Sequence, residues 1–249
     1  YKLTDMSNLR LGYNMRIYRP GIWYLNPYLN DTDPSYISQG NSELDSEKSH
    51  AFNLSYSNFT QKFNINLSAR YSFTNNSIEN VTKLMPDTEI EGLKNPTGKD
   101  VLYSTYANIG KTRRASVSAY VNWNATPRTR IYMNMSGDYS YMEGSEGMRN
   151  DGWSLFAYGG AQQTLPHDWR ISLNVFGQTP WIMLQGKGSS FFDYGLSVNK
   201  SFLNKRLTLS AFASNFFKKY MDQSSTTEGA GFIRESSYKY SRQRFGISV

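Results

Sequence analysis

Apolar and polar side chains alternate along most of this chain with a period of two residues. In residues 63–73, for example, Phe, Ile, Leu, Ala and Tyr occupy the odd positions, while Asn, Ser and Arg occupy the even ones. A strand with one apolar and one polar face produces this pattern, and no stretch has the period of an amphipathic helix. The pattern predicts about ten strands of roughly ten residues each. Runs of this kind cover residues 9–17, 63–73, 117–123, 131–135, 169–175 and 207–213.

The connections between the expected strands alternate in length. The short ones are residues 58–61, 125–128, 166–168 and 203–206. The long ones are residues 20–47, 76–100, 142–152, 179–190 and 218–236. A β-sandwich has no such rhythm, whereas a transmembrane barrel has short periplasmic turns and long extracellular loops.

The composition of the two faces favours the same architecture. The polar face carries Asn, Ser and Arg more than the Lys and Glu of a soluble surface, and aromatic residues gather at the strand ends as two interfacial belts. These observations predict an all-β, antiparallel transmembrane β-barrel with its apolar face towards lipid. The belt residues are Phe59, Phe63, Trp123, Trp169 and Phe202 near the short turns, and Tyr139, Tyr141, Trp153 and Trp181 near the long loops.

Composition narrows the chemistry. The 249 residues have a mean hydropathy of -0.60, yet 15% of them are aromatic, which suits a protein with rings at an interface. There is no cysteine, so disulfides, thiol nucleophiles and Cys-ligated zinc are excluded. No apolar run is long enough for a transmembrane helix. The formal net charge of +7 suits attraction of anions or of an anionic membrane surface, and no motif supports nucleic-acid binding.

Four segments resemble the outer-membrane β-barrel family of Bacteroidetes, which is related to TonB-dependent receptors. The first reads Arg19-Pro20, Leu25-Asn26-Pro27, Gly40-Asn41, Leu44 and Glu47, with Ser42 where that family usually has proline. The others are "NNSIENVTKL" (75–84) with "YANIGKTRRASVSAYVNW" (106–123), "GLSVNKSFLNKRLTLSAFASNFF" (195–217) and "RQRFGISV" (242–249). Their order and spacing carry the resemblance over nearly the whole chain.

This resemblance implies that residues 1–249 are the C-terminal portion of a larger barrel of about 22 strands. The plug and any N-terminal domain would lie upstream, and we expect the chain to be a piece of a longer product because it opens with Tyr1. The implied function is import of a bulky nutrient (a glycan, peptide or metal chelate) across the bacterial outer membrane. The implied partners are membrane lipid, a TonB-type energy-coupling complex acting through the plug, and a surface lipoprotein.

Two groups of residues are candidates for binding. The expected inward-facing arginines, Arg16, Arg70, Arg130 and Arg170, favour anionic or polar cargo, or else are solvated or paired with acids of a plug. Aromatic residues of the long loops suit capture of sugars or peptides, although packing of the rings between loops is the favoured interpretation. The loop candidates are Trp23, Tyr24, Tyr28, Tyr36 and Trp181.

Nothing in the sequence indicates catalysis, a metal site or a cofactor. The only histidines, His50 and His167, are expected at opposite ends of the strands and so cannot share a site. Two alternatives to the receptor stay open: a self-contained barrel of about ten strands acting as an adhesin or hydrolase, and a soluble β-rich carbohydrate-binding module.

Overall fold

The computed structural model describes residues 1–249, and nearly all of its regular structure is β-strand. The strands are β1 (Ser7–Tyr18), β2 (Asn30–Asp33), β3 (Tyr36–Ser38), β4 (Glu47–Phe59), β5 (Phe63–Pro86), β6 (Asp100–Thr126), β7 (Thr129–Glu143), β8 (Arg149–Leu165), β9 (Trp169–Gln178), β10 (Ile182–Met183), β11 (Gly186–Lys187), β12 (Phe191–Phe202), β13 (Leu207–Ser214), β14 (Tyr220–Gly229), β15 (Phe232–Ser241) and β16 (Arg244–Ser248). One short helix, α1 (Ile22–Leu25), and a 3-10 turn (Asp87–Glu89) complete the elements, and neither is long and apolar enough to cross a membrane.

Ten strands follow one another as antiparallel neighbours, in the order β1-β4-β5-β6-β7-β8-β9-β12-β13-β16, and β2 and β3 join the same sheet where β3 pairs with β6 in parallel. The predicted all-β antiparallel architecture is therefore confirmed. β1 and β16 do not pair with each other, so the sheet formed by this chain is open. The free edge of β1 carries only an isolated bridge between Lys2 and Asn8.

The register places all the apolar side chains of the predicted runs on one face of the sheet. Leu11, Leu54, Ala69, Val117, Gly137 and Leu155 lie side by side across six neighbouring strands. The next positions along, Gly12, Asn53, Arg70, Ser116, Asp138 and Ser154, form the matching row on the opposite face. We call these the apolar face and the polar face. The apolar face is not a core, because its side chains are open to the surroundings, with Leu11 at 79% and Val117 at 59% exposure.

Aromatic rows border the apolar face at both ends. One row contains Tyr13, Phe52, Tyr71, Tyr139 and Trp153, with the Tyr13 and Phe52 ring centroids 5.1 Å apart. The other begins with Phe63, which lies opposite Trp123. From Phe63 to Tyr71 the strand rises about 26 Å at about 3.3 Å per residue, and strand tilt reduces this to about 20 Å across the sheet. That height is close to the apolar band of an outer-membrane barrel, about 25 Å.

The connections lie in two groups at opposite ends of the strands. Residues 60–62, 127–128, 166–168 and 203–206 form tight turns at one end, which we call the short-turn end. In one of them His167 and Asp168 both adopt left-handed backbone angles, with φ of 61° and 59°, which reverses the chain within three residues. Residues 19–46, 87–99, 144–148, 179–190 and 215–243 connect the strands at the other end, the long-loop end.

Two predicted loops are wrong in extent. Residues 76–100 are mostly strand, because β5 continues to Pro86 and β6 begins at Asp100. Polar residues occupy both faces of this extended hairpin, so the alternation that signals a half-buried strand is missing. The expected loop at 142–152 is only five residues long, 144–148. The loop at 179–190 contains β10–β11, and β14–β15 begin within the loop at 218–236 and extend past it to Ser241; these four strands pair into a separate sheet.

The buried apolar residues lie under these loops. Ile37, Ile90 and Val101 form one small cluster between the first loop and the extended hairpin. Met142, Ile182 and Leu184 form a second cluster beneath the four-stranded sheet. Only eight hydrophobic residues are buried, and six of them form these two clusters, so the loops hold two local cores and the ten-stranded sheet has none of its own.

Candidate functional site

The polar face is lined by small hydroxyl and amide side chains that pair across strands. Asn66 donates to Ser57 at 2.7 Å, the Ser68 and Ser118 hydroxyls are 2.6 Å apart, and Tyr132 donates to Asn174. Because these groups satisfy one another without closing over the face, the surface is polar and open to water. Such a lining suits contact with water and polar solutes.

The four predicted arginines all lie on the polar face. Arg16 is near the long-loop end, Arg70 near the middle, and Arg130 and Arg170 near the short-turn end. Arg130 donates through Nε to Asn122 Oδ1 at 2.6 Å, and none of the four forms an ion pair. The structure therefore spreads these charges along the face and does not gather them into one site.

The predicted loop aromatics divide into two kinds. Trp23 and Tyr28 point into solvent, with 84% and 70% exposure. Tyr24 packs edge-on against Tyr106 at a centroid distance of 4.6 Å. Tyr36 lies 3.7 Å below the guanidinium of Arg234, and Trp181 covers Gly188 so closely that a Cβ there would overlap its indole ring. Three of the five thus hold loops in place, and only Trp23 and Tyr28 present free rings.

The first loop is fastened to the extended hairpin by its backbone. Gln39 N donates to Ser104 O at 3.0 Å, and Asn41 Nδ2 donates to Tyr106 O at 2.9 Å. At Gly40 a Cβ would come within 2.4 Å of Asn26 O in the same loop, so only glycine permits the loop to pack this closely on itself. The Gly-Asn pair noted in the sequence therefore has a structural role, since it clamps the loop onto β6.

A pair of carboxylates just beyond the aromatic row was missed by sequence reasoning. Glu47 accepts a hydrogen bond from the Ile78 amide, and Glu79 accepts one from Ser77 Oγ at 2.7 Å. Burial raises the pKa of the Glu79 carboxyl, and the neighbouring Glu47 raises it further. Gly110 makes room for the Glu79 side chain, since a Cβ there would lie 2.7 Å from its Oε1. The sequence signal for this pair was Gly110, because a glycine inside a strand often marks a site where another group approaches closely.

Two side chains tie the four-stranded loop sheet to the main sheet. Asn150 on β8 donates through Nδ2 to Met183 O and to Gly186 O, both at 2.8 Å, and Gln185 bonds to the backbone of β5. Gln185 accepts from Thr82 N at 2.7 Å and donates to Thr82 O at 2.9 Å, and all these atoms are buried. The side-chain amide of Gln185 thereby makes the two hydrogen bonds that the backbone of a neighbouring strand would make with β5. These contacts fix the position of the loop sheet over the long-loop end of the polar face.

The two histidines lie apart, as expected. His50 lies at the long-loop end, with Nδ1 2.7 Å from the Tyr13 hydroxyl and its ring stacked on Phe73. His167 lies in a short turn. No group of three or more His, Cys, Asp or Glu side chains is placed to hold a metal ion.

The apolar face also carries a shallow depression. Its volume is about 600 Å³, and Leu54, Leu67, Val117, Met135 and Leu155 are among the residues that line it. Its walls are almost wholly apolar, and it lies on the side of the sheet away from the polar lining, so it is a surface for hydrocarbon and not for a polar solute.

Comparison with known proteins assigns the architecture. A family model described as "Outer membrane protein beta-barrel family" matches residues 1–249, which is the whole chain. The chain belongs to this family. Its members are located in the bacterial outer membrane, where a barrel turns apolar residues to lipid and polar residues to its interior. The soluble carbohydrate-binding module is therefore excluded as an interpretation of the exposed apolar face.

A solved structure supports the barrel architecture of this family member. The protein described as "Copper transporter OprC" superposes with a TM-score of 0.65 and 14% sequence identity over 99% of this chain. At that identity the similarity concerns the fold alone. The present chain spans 38% of the length of that protein's chain. No curated protein matches the chain with significant sequence similarity.

Proposed function

We propose that this chain is the C-terminal part of the barrel of an outer-membrane receptor that imports a bulky nutrient in the manner of the TonB-dependent receptors of Bacteroidetes. The open ten-stranded sheet is the observation that carries the proposal. A strand edge such as that of β1 has unpaired backbone groups that lipid cannot satisfy, so further strands are needed to close the barrel. The longer chain of the similar solved structure is consistent with such strands upstream.

The proposal places the two ends of the sheet on opposite sides of the membrane. The long-loop end lies outside the cell, where the exposed rings of Trp23 and Tyr28 would meet cargo or a surface lipoprotein. The short-turn end lies in the periplasm, where a TonB-type complex would act on a plug encoded upstream. The polar face, including Arg16 and Arg70, lines the path between them. Nutrient import requires no catalytic residue, and we assign none.

Conductance measurements test this proposal against a self-contained barrel. The full-length protein is inserted in a planar bilayer before and after deletion of the upstream segment expected to fill the interior. A closed pore that becomes a wide, steady channel on deletion supports a plugged barrel of about 22 strands. A narrow pore, or none, in both forms would support a small barrel of about ten strands instead. The open edges of β1 and β16 do not favour that second interpretation.

Uptake measurements test the loop assignment. Trp23→Ala should reduce uptake while leaving the folded protein unchanged, because the side chain is 84% exposed. Tyr24→Ala is the matched neighbour, and it should loosen the first loop, because its ring rests on Tyr106. Normal uptake by Trp23→Ala together with Tyr28→Ala would remove these rings from cargo binding.

A further inference from the structure

A cavity at the short-turn end of the polar face is built almost wholly from polar side chains. Its volume is about 680 Å³, which is within the range of sites for small molecules. It lies between the turn at 60–62, the turn at 127–128 and the end of β8. Lys62, Arg128 and Arg130 line it, together with the amide side chains of Gln61, Asn124 and Gln162, and no carboxylate does.

The three cations of this cavity have no counter-ion within the chain. None of them takes part in an ion pair. Arg130 uses only Nε, in its bond to Asn122, so both of its terminal nitrogens stay available. At the same end of the sheet, Asp5 is bound to Lys2 at 2.7 Å, and Asp168 lies in a neighbouring turn outside the cavity lining.

Most carboxylates of the polar face lie towards the other end. Glu47 and Glu79 lie beyond the aromatic row and Asp193 lies 3.5 Å from Arg242, whereas Asp138, hydrogen-bonded to Ser116, lies in the middle row with Arg70. The charge of the polar face is therefore mixed near the long loops and purely positive around the cavity. Such a distribution draws an anion along the interior towards the short-turn end.

We propose that this cavity binds a small anion that carries two or more carboxylate or phosphate groups. Two guanidinium groups and one ammonium group, together with amide donors, can bind several oxygens of one ligand at once. The inference rests on the proposed function, because it makes the cavity the last binding position for cargo on the periplasmic side. It thereby specifies the cargo as anionic.

Equilibrium binding to the full-length protein in detergent micelles tests the inference. The probes are inorganic pyrophosphate and citrate, which separate phosphate from carboxylate recognition. Lys62→Gln with Arg128→Gln removes two charges of the cavity and leaves the bonded Arg130 in place. Lys205→Gln with Arg206→Gln is the matched control, since it removes two exposed charges from another turn at the same end.

We expect at least one probe to bind the unaltered protein with a dissociation constant of about 1 mM or below, and the cavity variant to bind about tenfold more weakly. The control variant should bind as the unaltered protein does. Absence of binding to the unaltered protein, including the case in which an upstream segment fills the cavity, would overturn the inference. Equal weakening in both variants would also overturn it, because the effect would then be one of total charge.

Heat-dependent gel mobility verifies that each variant is folded. The pore measurement described above is independent of this result, so each proposal fails on its own evidence.

Discussion

A charge placed at the middle of the apolar face should lower the free energy of unfolding far more than the same charge placed one residue away. Met135 lies midway along β7 between the two aromatic rows and is flanked on the apolar face by Ala119 and Ala157. Asn134 precedes it, faces the other side, is exposed and has no side-chain hydrogen bond. Met135→Arg therefore places a guanidinium in the hydrocarbon of the membrane, whereas Asn134→Arg places it in the water-filled interior of the barrel.

The expected cost of Met135→Arg is about 2–4 kcal/mol, the value for a cation at the bilayer midplane of a barrel. This corresponds to a folded-to-unfolded ratio lower by a factor of roughly 30 to 900 at 1.36 kcal/mol per factor of ten. Asn134→Arg should change the free energy of unfolding by about 0.5 kcal/mol or less, as surface substitutions do.

The assay is urea unfolding of the full-length protein in lipid vesicles, followed by tryptophan fluorescence and by heat-dependent gel mobility. The midpoint should fall strongly for Met135→Arg and hardly at all for Asn134→Arg. Equal losses in both variants, or a greater loss for Asn134→Arg, would refute the assignment of the two faces.

Three further predictions concern packing, loop attachment and pH. Gly160→Ala should destabilise the barrel by about 1–3 kcal/mol, because the added Cβ would lie 2.3 Å from Leu173 O; urea midpoints measure this. Gln185→Ala should loosen the loop sheet, which then keeps only its bonds to Asn150, at a cost of about 1–3 kcal/mol, because the buried N–H and C=O of Thr82 lose these partners; limited proteolysis within residues 179–190 reports it. Since burial raises the pKa of Glu79, its contribution to stability should decrease as pH rises from the ordinary carboxyl pKa through the raised one; unfolding as a function of pH measures this.

Each of these predictions has its own control. Gly12→Ala adds a methyl with no atom within 4 Å, so its effect on stability should stay within about 1 kcal/mol. Loop cleavage should be unaltered in Gly12→Ala, and a Gln185→Ala protein as resistant as the parent would refute the role of that amide. Glu79→Gln should lose the decrease in stability with rising pH. If it retained the full pH dependence, the titrating group would lie elsewhere.

The membrane part of the fold was predictable because the alternation of apolar and polar residues within each strand shows which side faces lipid and which faces water. Residues 63–73 alternate without a break, since one side meets lipid and the other water. The same strand continues to Pro86 without alternation, because beyond the aromatic row neither side faces lipid. The β14–β15 hairpin was missed for the same reason: the segment of β14 from Asp222 to Thr227 is polar throughout, and its strands are held by backbone pairing.

The candidate site was less predictable because it depends on contacts between distant segments. Glu47 and Glu79 are 32 positions apart, and a register shift near Ser77 brings them to the same place. Single positions could be assigned to the polar face, which is why Arg130 was found. The cavity beside it also needs Lys62 and Arg128, and both lie in turns, where the period-two pattern gives no direction to a side chain.

The aromatic residues of the first loop show the same limit. Trp23 and Tyr24 are adjacent and chemically alike, yet one is in solvent and the other rests on Tyr106. No local pattern separates them, because the partner ring lies more than 80 residues further along the chain. The structure was needed to divide anchors from free rings.

The central claim is that one face of the sheet contacts lipid and the other lines a water-filled interior. Single-cysteine labelling along β7 tests this claim most directly. Single cysteines are introduced at Met133, Asn134, Met135 and Ser136 and labelled with a small fluorophore, with any cysteine outside these 249 residues replaced, since residues 1–249 contain none. In vesicles of the full-length protein, brominated lipid should quench the label at 133 and 135, and aqueous iodide should quench it at 134 and 136. The same quencher acting on all four positions, or the reverse alternation, would contradict the account.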